Sequence, residues 1–314
     1  MQRRPLGRSG LSVVPFALGG NVFGWIADEP TSMALLDRFV DQGFDFIDTA
    51  DVYSRWAPGN QGGESEPIIG RWLKRRGGRD RVVIVTKVGS DLGGERKGLS
   101  ARWIAQAVED SLRRPQTDHI DLDLSHWPDP EVGHAETLGA DERLIEAGKV
   151  RAIGVSNVDA AQLEDALATS ARHGLARYEV LQMHDNLVER AGYEGPPEEL
   201  VTREGLGTMA YVALASGFLT DKYRSEADQS QSPRGEGIAK HLTPHGRAIP
   251  AALDDIAARH RATPAQVALA WLLARPSVTA PIASATSLVQ LDELLAAGRV
   301  ALDATDLAQL DATR

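Results

Sequence analysis

Four residues capable of acid–base chemistry lie at or near the ends of short apolar runs. Asp48, Lys87 and His126 each follow such a run within two residues, and Tyr53 comes five residues after Asp48. In a barrel of parallel strands the carboxyl ends share one face, which is where catalytic groups sit in that architecture. We therefore expect these four side chains to converge on a single site.

This combination of residue types suits proton transfer by a phenol. A free tyrosine has a pKa of about 10 and is a poor acid or base near neutral pH. The ammonium of Lys87 would favour the phenolate of Tyr53, and Asp48 would offset the cost of burying that lysine. His126 could orient and polarise a carbonyl group beside the phenol. None of these groups is a good hydride source, so carbonyl reduction would need a redox cofactor.

Each of these residues also has a purely structural interpretation. Asp48 could cap a turn, and Lys87 could extend from a strand end to water. His126, which precedes Trp127, could be a packed and hydrogen-bonded histidine. Tyr53 could be a half-buried aromatic residue. Their joint placement at successive strand ends favours a common functional site.

The elements that would position these residues alternate between strand and helix patterns. Apolar runs typical of buried strands occupy residues 16–18, 44–47, 82–85, 120–124, 150–155, 178–181, 208–212 and 278–282. Helical patterns lie near residues 31–42, 64–75, 100–113, 134–147, 159–172, 196–204, 249–274 and 287–297. Eight strand–helix units in series predict an α/β fold, a single (β/α)8 TIM barrel that spans residues 1–314 as one domain.

Turn and capping signals refine this prediction. Residues 2–15 predict an N-terminal β-hairpin with Ser9-Gly10 at its turn. Thr31 and Ser100 are expected helix N-caps, and Gly148 is expected at a helix C-terminus. A long loop is predicted over residues 215–248 after strand seven, and a shorter one over 54–63. A doubly wound sheet is the alternative, but no G-x-G-x-x-G motif follows the first strand.

The composition is that of an ordinary globular protein, with 42% hydrophobic and 25% charged residues. Lys and Arg total 34 against 44 Asp and Glu, and the net charge of −10 disfavours nucleic acid and anionic membranes as partners. The absence of cysteine excludes disulfides, thiolate metal sites and a cysteine nucleophile, and we expect no metal. The uncharged stretch 9–27 is rich in glycine and contains Pro15, so it makes a poor membrane span. We expect a cytoplasmic protein.

Seven segments, in order and across essentially the whole chain, resemble one family, the aldo-keto reductase superfamily. They are FDFIDTADVYS (44–54), ESEPIIGRWLK (64–74), VVIVTKVG (82–89), IDLDLSHWPDP (120–130), EAGKVRAIGVSN (146–157), GTMAYVALASGFLTDKY (207–223) and PIASATSLVQLDELL (281–295). The resemblance implies a barrel that binds a nicotinamide dinucleotide without a Rossmann domain. It also implies a catalytic tetrad of Asp48, Tyr53, Lys87 and His126, with Tyr53 as the general acid in carbonyl reduction.

The resemblance also implies a set of cofactor contacts from the nicotinamide to the adenosine end. They are Ser156, Asn157, Gln182 and Tyr211 at the nicotinamide, Leu214, Gly217, Leu219 and Lys222 along the pyrophosphate, and Arg234, Ser284, Thr286, Gln290 and Glu293 at the adenosine. The expected cofactor is NADP(H), with NAD(H) as the alternative. The expected substrate is a small aldehyde or ketone in a pocket lined by Phe23, Trp25, Trp56 and Trp127. The oligomeric state is not indicated.

The chain departs from the family pattern at a few positions outside the tetrad. Val212-Ala213 replaces a usual Ser-Pro, His184-Asp185 replaces a pair containing an aromatic residue, and Leu294 replaces a frequent asparagine. Asp141 occupies a usually apolar position in the fourth helix.

Two other functions remain open on the sequence. One is a nucleotide-binding regulatory subunit, since potassium-channel beta subunits resemble the same family. We expect this alternative to be the less favoured one, since nothing in the sequence suggests a channel-docking extension. The other is a non-redox barrel such as a phosphate-sugar isomerase, which would have no use for a Tyr–Lys–Asp–His set.

Overall fold

A closed barrel of eight parallel strands is the central feature of the computed structural model, which describes residues 1–220, 222, 228, 238, 240–241 and 244–313. The barrel strands are β3 (Ala17–Gly19), β4 (Phe46–Asp48), β5 (Val83–Val88), β6 (Ile120–Ser125), β7 (Val150–Ser156), β8 (Tyr178–His184), β9 (Gly207–Tyr211) and β10 (Ala280–Ala283). They pair in chain order, and β10 closes the barrel against β3. The predicted (β/α)8 fold is confirmed.

Helices surround the barrel and follow the predicted order. They are α1 (Glu29–Asp41), α2 (Ser65–Arg76), α3 (Ala101–Arg113), α4 (His134–Glu146), α5 (Ala160–His173), α6 (Pro196–Glu204), α7 (Pro244–His260), α8 (Pro264–Ala274), α9 (Leu288–Leu295) and α10 (Ala304–Asp311). None of the helices within the described part of the chain is long and apolar enough to cross a membrane.

The single helix predicted over residues 249–274 is wrong, because α7 and α8 are separate helices. Arg261 adopts the left-handed conformation, with a φ of 53°, after the end of α7. Thr263 then forms a capping box with Gln266, and Pro264 occupies the first turn of α8. The apolar periodicity continues across this break, so periodicity alone could not reveal it. The helix α10 was not predicted.

The capping predictions had mixed outcomes. Ser100 caps α3 as expected, because its hydroxyl accepts a hydrogen bond from the Trp103 amide at 3.3 Å. Thr31 is not an N-cap. The carboxylate of Asp28 caps α1 instead and accepts from the Thr31 amide at 2.9 Å, which starts the helix three residues earlier. Gly148 lies just after the C-cap of α4 with a φ of 71°, the conformation expected there of a glycine.

The predicted hairpin covers the amino ends of the barrel strands. Its strands, β1 (Arg4–Pro5) and β2 (Ser12–Val13), pair antiparallel. The fully buried side chains of Leu6 and Val13 belong to the apolar cluster inside the barrel. Arg4 donates hydrogen bonds to the carbonyl of Leu273, at the end of α8, and to that of Val278, just before β10. This end of the barrel is closed, so the carboxyl ends of the strands are left for a functional site.

The described part of the predicted 215–248 loop begins with a 3-10 turn at Ala215–Gly217. Its last residues are helical, because α7 begins at Pro244 and proline suits the first turn of a helix. The predicted loop at 54–63 is confirmed as a series of turns. There the Asn60 amide donates hydrogen bonds to the carbonyls of Gly24 and Ser54, both at 2.9 Å.

Asp141 is a buried carboxyl group on α4, and it makes the stability of the protein depend on pH. Burial raises the pKa of Asp141 to about 7, well above its usual value, and Arg143 opposes this shift. The folded chain therefore binds the Asp141 proton more tightly than the unfolded chain. Asp141 makes its full contribution to the free energy of unfolding below about pH 4, which is near the pKa of an aspartate in the unfolded chain. This contribution is lost as the pH rises through about 7, the pKa of Asp141 in the folded chain.

The wild type should have a smaller free energy of unfolding at pH 9 than at pH 5. In Asp141→Asn we expect this difference to be smaller by on the order of a few kcal/mol, since each pKa unit is worth about 1.4 kcal/mol. Urea unfolding at the two pH values measures this effect. The control is Glu146→Gln, an exposed position on the same helix. An unchanged pH dependence in Asp141→Asn would contradict the assignment.

Candidate active site

The inward-facing positions of the barrel strands change from apolar to polar at the carboxyl ends. On β4 these positions run from Phe46 to Asp48, and on β5 from Val85 to Lys87, since alternate residues of a strand face the same side. His126 follows β6 in the same phase. The strand pattern therefore carries these three polar side chains to one mouth of the barrel.

The remaining strands complete this ring of polar groups. Ser156 ends β7, Gln182 lies on β8, Tyr211 ends β9 and Ser284 follows β10. All four line one cavity together with Asp48, Tyr53 and His126. The structure therefore brings together residues that are separated by more than 200 positions in the sequence.

Lys87, Asp48 and Tyr53 form a closed set of hydrogen bonds. The Lys87 Nζ lies 2.8 Å from Asp48 Oδ1, 2.7 Å from the Tyr53 hydroxyl and 2.8 Å from the carbonyl oxygen of Thr49. The Tyr53 hydroxyl in turn donates to Asp48 Oδ2 at 2.8 Å. Lys87 and Asp48 are each only 1% exposed, whereas Tyr53 is half-buried and lines the cavity. The phenol is therefore the most accessible member of this set.

The buried charges of this set balance each other. Burial lowers the pKa of Lys87, and the Asp48 carboxylate opposes that shift through its charge and its hydrogen bond. Gln182 donates to Asp48 Oδ1 at 2.8 Å, which gives the carboxylate a third partner. Lys87, Tyr53 and Gln182 thus all contact the Asp48 carboxyl group, which supplies the opposite charge that a buried ammonium requires.

His126 lies beside the phenol as a neutral ring. Burial, together with the charge of Lys87, holds the pKa of His126 well below its usual value. Its Nδ1 is 2.8 Å from the Ser90 hydroxyl, and its ring centre is 6.3 Å from that of Tyr53. When Ser90 donates to Nδ1, Nε2 carries the proton and can donate to a molecule in the cavity. Sequence reasoning missed Ser90, which lies two residues beyond β5.

The cavity has a volume of about 760 Å³ and extends from the tetrad to α9. Next to the tetrad, the Tyr211 hydroxyl donates to Asn157 Oδ1 at 2.5 Å, and Asn157 Nδ2 donates to the His126 carbonyl at 2.8 Å. These bonds tie the ends of β6, β7 and β9 to one another. Tyr211 and Ser156 both line the cavity at this end.

The far end of the cavity contains most of the residues expected to contact the rest of the cofactor. Lining positions are Leu214, Gly217, Lys222, Ser284, Thr286, Gln290 and Glu293. Gln290 Oε1 accepts from both the amide and the hydroxyl of Thr286 at 2.9 Å. Leu219 does not line the cavity, because its side chain is buried in the core. Arg234 lies outside the described residues.

Three of the four residues expected in a substrate pocket lie at the outer cavity wall. The rings of Trp25 and Trp56 are 5.6 Å apart, and the Trp127 ring stacks on His126 at 6.0 Å. Trp56 and Trp127 are 48% and 51% exposed. Phe23 was placed wrongly in this pocket. Its side chain is fully buried in the core and does not line the cavity, and its carbonyl accepts a hydrogen bond from Ser54 at 2.7 Å.

Sequence reasoning also missed several cavity residues that follow β3. Asn21, Val22 and Ile26 line the cavity, and Asn21 Oδ1 accepts a hydrogen bond from Ser284 at 2.5 Å. Their signal was available, because they follow a barrel strand just as the tetrad residues do. Within the described residues, no cluster of three His, Asp or Glu side chains could hold a metal ion.

Comparison with known proteins identifies the family of this barrel. The sequence model of the Aldo/keto reductase family matches residues 15–314, nearly the whole chain. The chain belongs to the aldo/keto reductase family. This membership confirms the resemblance noted above and supports an oxidoreductase. Aldo/keto reductases generally use nicotinamide cofactors and act on small carbonyl compounds.

Individual relatives cover almost the full length of this aldo/keto reductase. It is 35% identical to "Uncharacterized oxidoreductase YrpG" of Bacillus subtilis (strain 168), over 99% of this chain and 95% of the relative. It is 31% identical to "Protein tas" of Escherichia coli (strain K12), over 99% and 97% of the two chains. A "Probable voltage-gated potassium channel subunit beta" of Arabidopsis thaliana is 32% identical over 93% and 90%. The last similarity is compatible with the alternative of a regulatory subunit.

Proposed function

We propose that this protein is an NADP(H)-dependent reductase of aldehydes or ketones in which Tyr53 is the general acid. The observation that carries the proposal is the Tyr53 hydroxyl, which contacts both Lys87 Nζ and Asp48 Oδ2 at the wall of a large cavity. A phenol held between a cation and a carboxylate is poised to release and regain a proton. The non-redox and purely structural interpretations offer no reason for this arrangement.

The chain's own residues would manage the proton and the carbonyl group. The Tyr53 hydroxyl gives its proton to the substrate oxygen as that oxygen gains negative charge. Lys87 stabilises the phenolate left behind, and Asp48 balances the charge of Lys87. The neutral His126 ring donates a hydrogen bond to the same substrate oxygen and holds the carbonyl beside Tyr53. A bound reduced nicotinamide supplies the hydride for the carbonyl carbon.

The described residues fit a dinucleotide. The cavity is within the usual size range for small-molecule sites, and it presents an aromatic ring, Tyr211, near the tetrad. At its other end lies the start of α9, where free amide groups suit a phosphate. Ser156, Asn157 and Gln182 would hold the carboxamide side, and Ser284, Thr286, Gln290 and Glu293 the adenosine side.

The proposed function can be tested by measuring the oxidation of NADPH or NADH by the protein in the presence of a reactive aldehyde. We propose a cytoplasmic, single-domain enzyme that acts on a small molecule and has neither nucleic acid nor membrane as a partner. Screening a panel of aldehydes, aromatic ketones and keto-sugars with NADPH and NADH should reveal carbonyl-dependent oxidation of the cofactor. Tight nucleotide binding without turnover across the panel would favour the regulatory-subunit alternative.

We expect NADPH to bind more tightly than NADH by about 1–3 kcal/mol, the typical worth of hydrogen bonds to a charged group. The Thr286 hydroxyl, Gln290 and the amides at the start of α9 can contact a 2′-phosphate, and Lys222 lines the same cavity. Fluorescence titration of both cofactors at low and high salt measures the difference, which salt should reduce.

A matched pair of variants on this end of the cavity sharpens the cofactor test. Thr286→Val removes the hydroxyl and should narrow the gap between the two dissociation constants. Val289→Ala, at a 79% exposed position on α9, should leave both constants unchanged. Equal dissociation constants for NADH and NADPH that do not respond to salt would mean that the 2′-phosphate is not recognised.

A further inference from the structure

A buried carboxyl group that the proposed mechanism does not use lies directly behind the tetrad. Asp51 is 1% exposed, and neither of its carboxyl oxygens accepts a hydrogen bond of normal geometry from the described residues. Its backbone amide donates to the carbonyl of Lys87 at 3.2 Å, which fixes the Asp51 segment against β5. Buried carboxylates usually accept several hydrogen bonds, so a bare one requires an explanation.

Charged groups from four elements surround Asp51. They are Glu66 on α2, Arg114 after α3, Lys87 on β5 and Asp123 on β6. Glu66 is fully buried and is already satisfied by the Arg114 guanidinium and by the Thr86 hydroxyl, the latter at 2.6 Å. Arg114 donates to Glu66 through Nε and to the Ser111 hydroxyl through Nη2, and within the described residues no hydrogen bond joins it to Asp51.

A count of charges leaves two surplus acids in this region, Asp51 and Asp123. Lys87 pairs with Asp48, and Arg114 pairs with Glu66, so both pairs are neutral. Burial raises the pKa of Asp51 to about 8, the Glu66 carboxylate adds to the rise, and Arg114 and Lys87 oppose it. Burial likewise raises the pKa of Asp123 well above its usual value. At neutral pH, Asp51 is therefore predominantly an uncharged acid next to the Lys87 ammonium.

We propose that Asp51 is a positioning residue that acts through Lys87 and limits the phenolate of Tyr53 at alkaline pH. As a neutral acid, Asp51 leaves the attraction of the Lys87 ammonium to Tyr53 undiminished. As a carboxylate, it is a second anion that competes with the phenolate for one ammonium. The proposal rests on the proposed role of Tyr53, and it adds a residue that touches neither substrate nor cofactor.

The consequence is a characteristic pH profile for alcohol oxidation, the direction in which Tyr53 must act as a base. In the wild type, kcat/KM for oxidation should rise with pH and then level off as Asp51 loses its proton, since the pKa of Asp51 is raised to about 8. In Asp51→Asn the neutral amide cannot ionise, so the rise continues. We expect the variant-to-wild-type ratio of kcat/KM to be about tenfold larger at pH 9.5 than at pH 6.5, as for one pKa unit of like-charge interaction.

Two further variants separate this electrostatic role from a structural one. Asp51→Ser also removes the carboxyl group and should give the same pH-dependent ratio even if the amide of the Asn variant disturbs packing. Asp141→Asn also removes a buried acid with a raised pKa, but one that lies on the outer helix α4. For this variant, the variant-to-wild-type ratio of kcat/KM should not change with pH. A general loss of packing would lower kcat/KM at every pH and leave the shape of the profile intact.

Carbon-13 NMR of aspartate-labelled protein follows the acid itself, independently of turnover. A carboxyl resonance that titrates near pH 8 and disappears in Asp51→Asn is the expected result. The proposal is overturned if no such resonance exists, or if the oxidation profiles of both Asp51 variants match the wild type. A wild type that reduces no carbonyl compound would instead overturn the proposed function, so the two failures are distinguishable.

Discussion

Replacing Tyr53 with phenylalanine is expected to lower kcat for carbonyl reduction by about 10²–10⁴-fold, the usual contribution of a positioned general acid. The change removes one oxygen atom, which contacts Lys87 and Asp48 at 2.7 and 2.8 Å. The ring and its packing against Trp56 remain. The dissociation constant for NADPH should therefore stay near the wild-type value, which separates a chemical effect from a binding effect.

Tyr193→Phe provides a matched control for the Tyr53 variant. The Tyr193 side chain is fully buried and its hydroxyl donates to the Ser277 carbonyl at 3.0 Å, but it does not line the cavity. Its removal should leave kcat unchanged. If Tyr53→Phe retained most of the wild-type turnover, the proton would have to come through water or from another donor, and the assignment of Tyr53 would fall.

The tetrad could be predicted from the sequence because strand geometry determines where inward-facing residues go. Lys87 lies two residues after Val85, and Asp48 lies two residues after Phe46. Because alternate residues of a strand face the same side, and Val85 and Phe46 point into the barrel, Lys87 and Asp48 must point inwards as well. Parallel strands then bring these ends together whatever their distance in sequence. The fold and the convergence of these polar side chains follow from the same pattern.

Residues in loops and between helices were harder to predict for a physical reason. Phe23 follows a strand end, as Trp25 does, but its side chain packs in the core, and no local pattern distinguishes the two positions. The environment of Asp51 likewise depends on Glu66 and Arg114, which approach from different helices. Such pairings are set by tertiary packing rather than by periodicity.

Lys87→Met is expected to lower alcohol oxidation at neutral pH by about 10- to 1000-fold, because an ammonium at hydrogen-bond distance shifts an acid–base equilibrium by about 1–3 pKa units. Methionine keeps a long, flexible, apolar side chain in the same buried space but contacts Tyr53 without a charge. The alcohol oxidation that remains in Lys87→Met should reach its maximum at a more alkaline pH than in the wild type. The pH profile of oxidation measures this shift, and differential scanning calorimetry checks that the variant is folded.

Asp48→Asn should show a milder form of the same change, since the amide can still contact Tyr53 and Lys87 but no longer balances the ammonium. Lys87 is already shifted by burial towards the uncharged amine, and Asp48 is the first group that opposes this shift. Removing the carboxylate should therefore lower the fraction of Lys87 that carries a charge. The Tyr53 phenolate would then be less stabilised. A Lys87→Met profile identical to that of the wild type would show that Tyr53 ionises independently of Lys87, and the coupling between the buried ion pair and the phenol would be wrong.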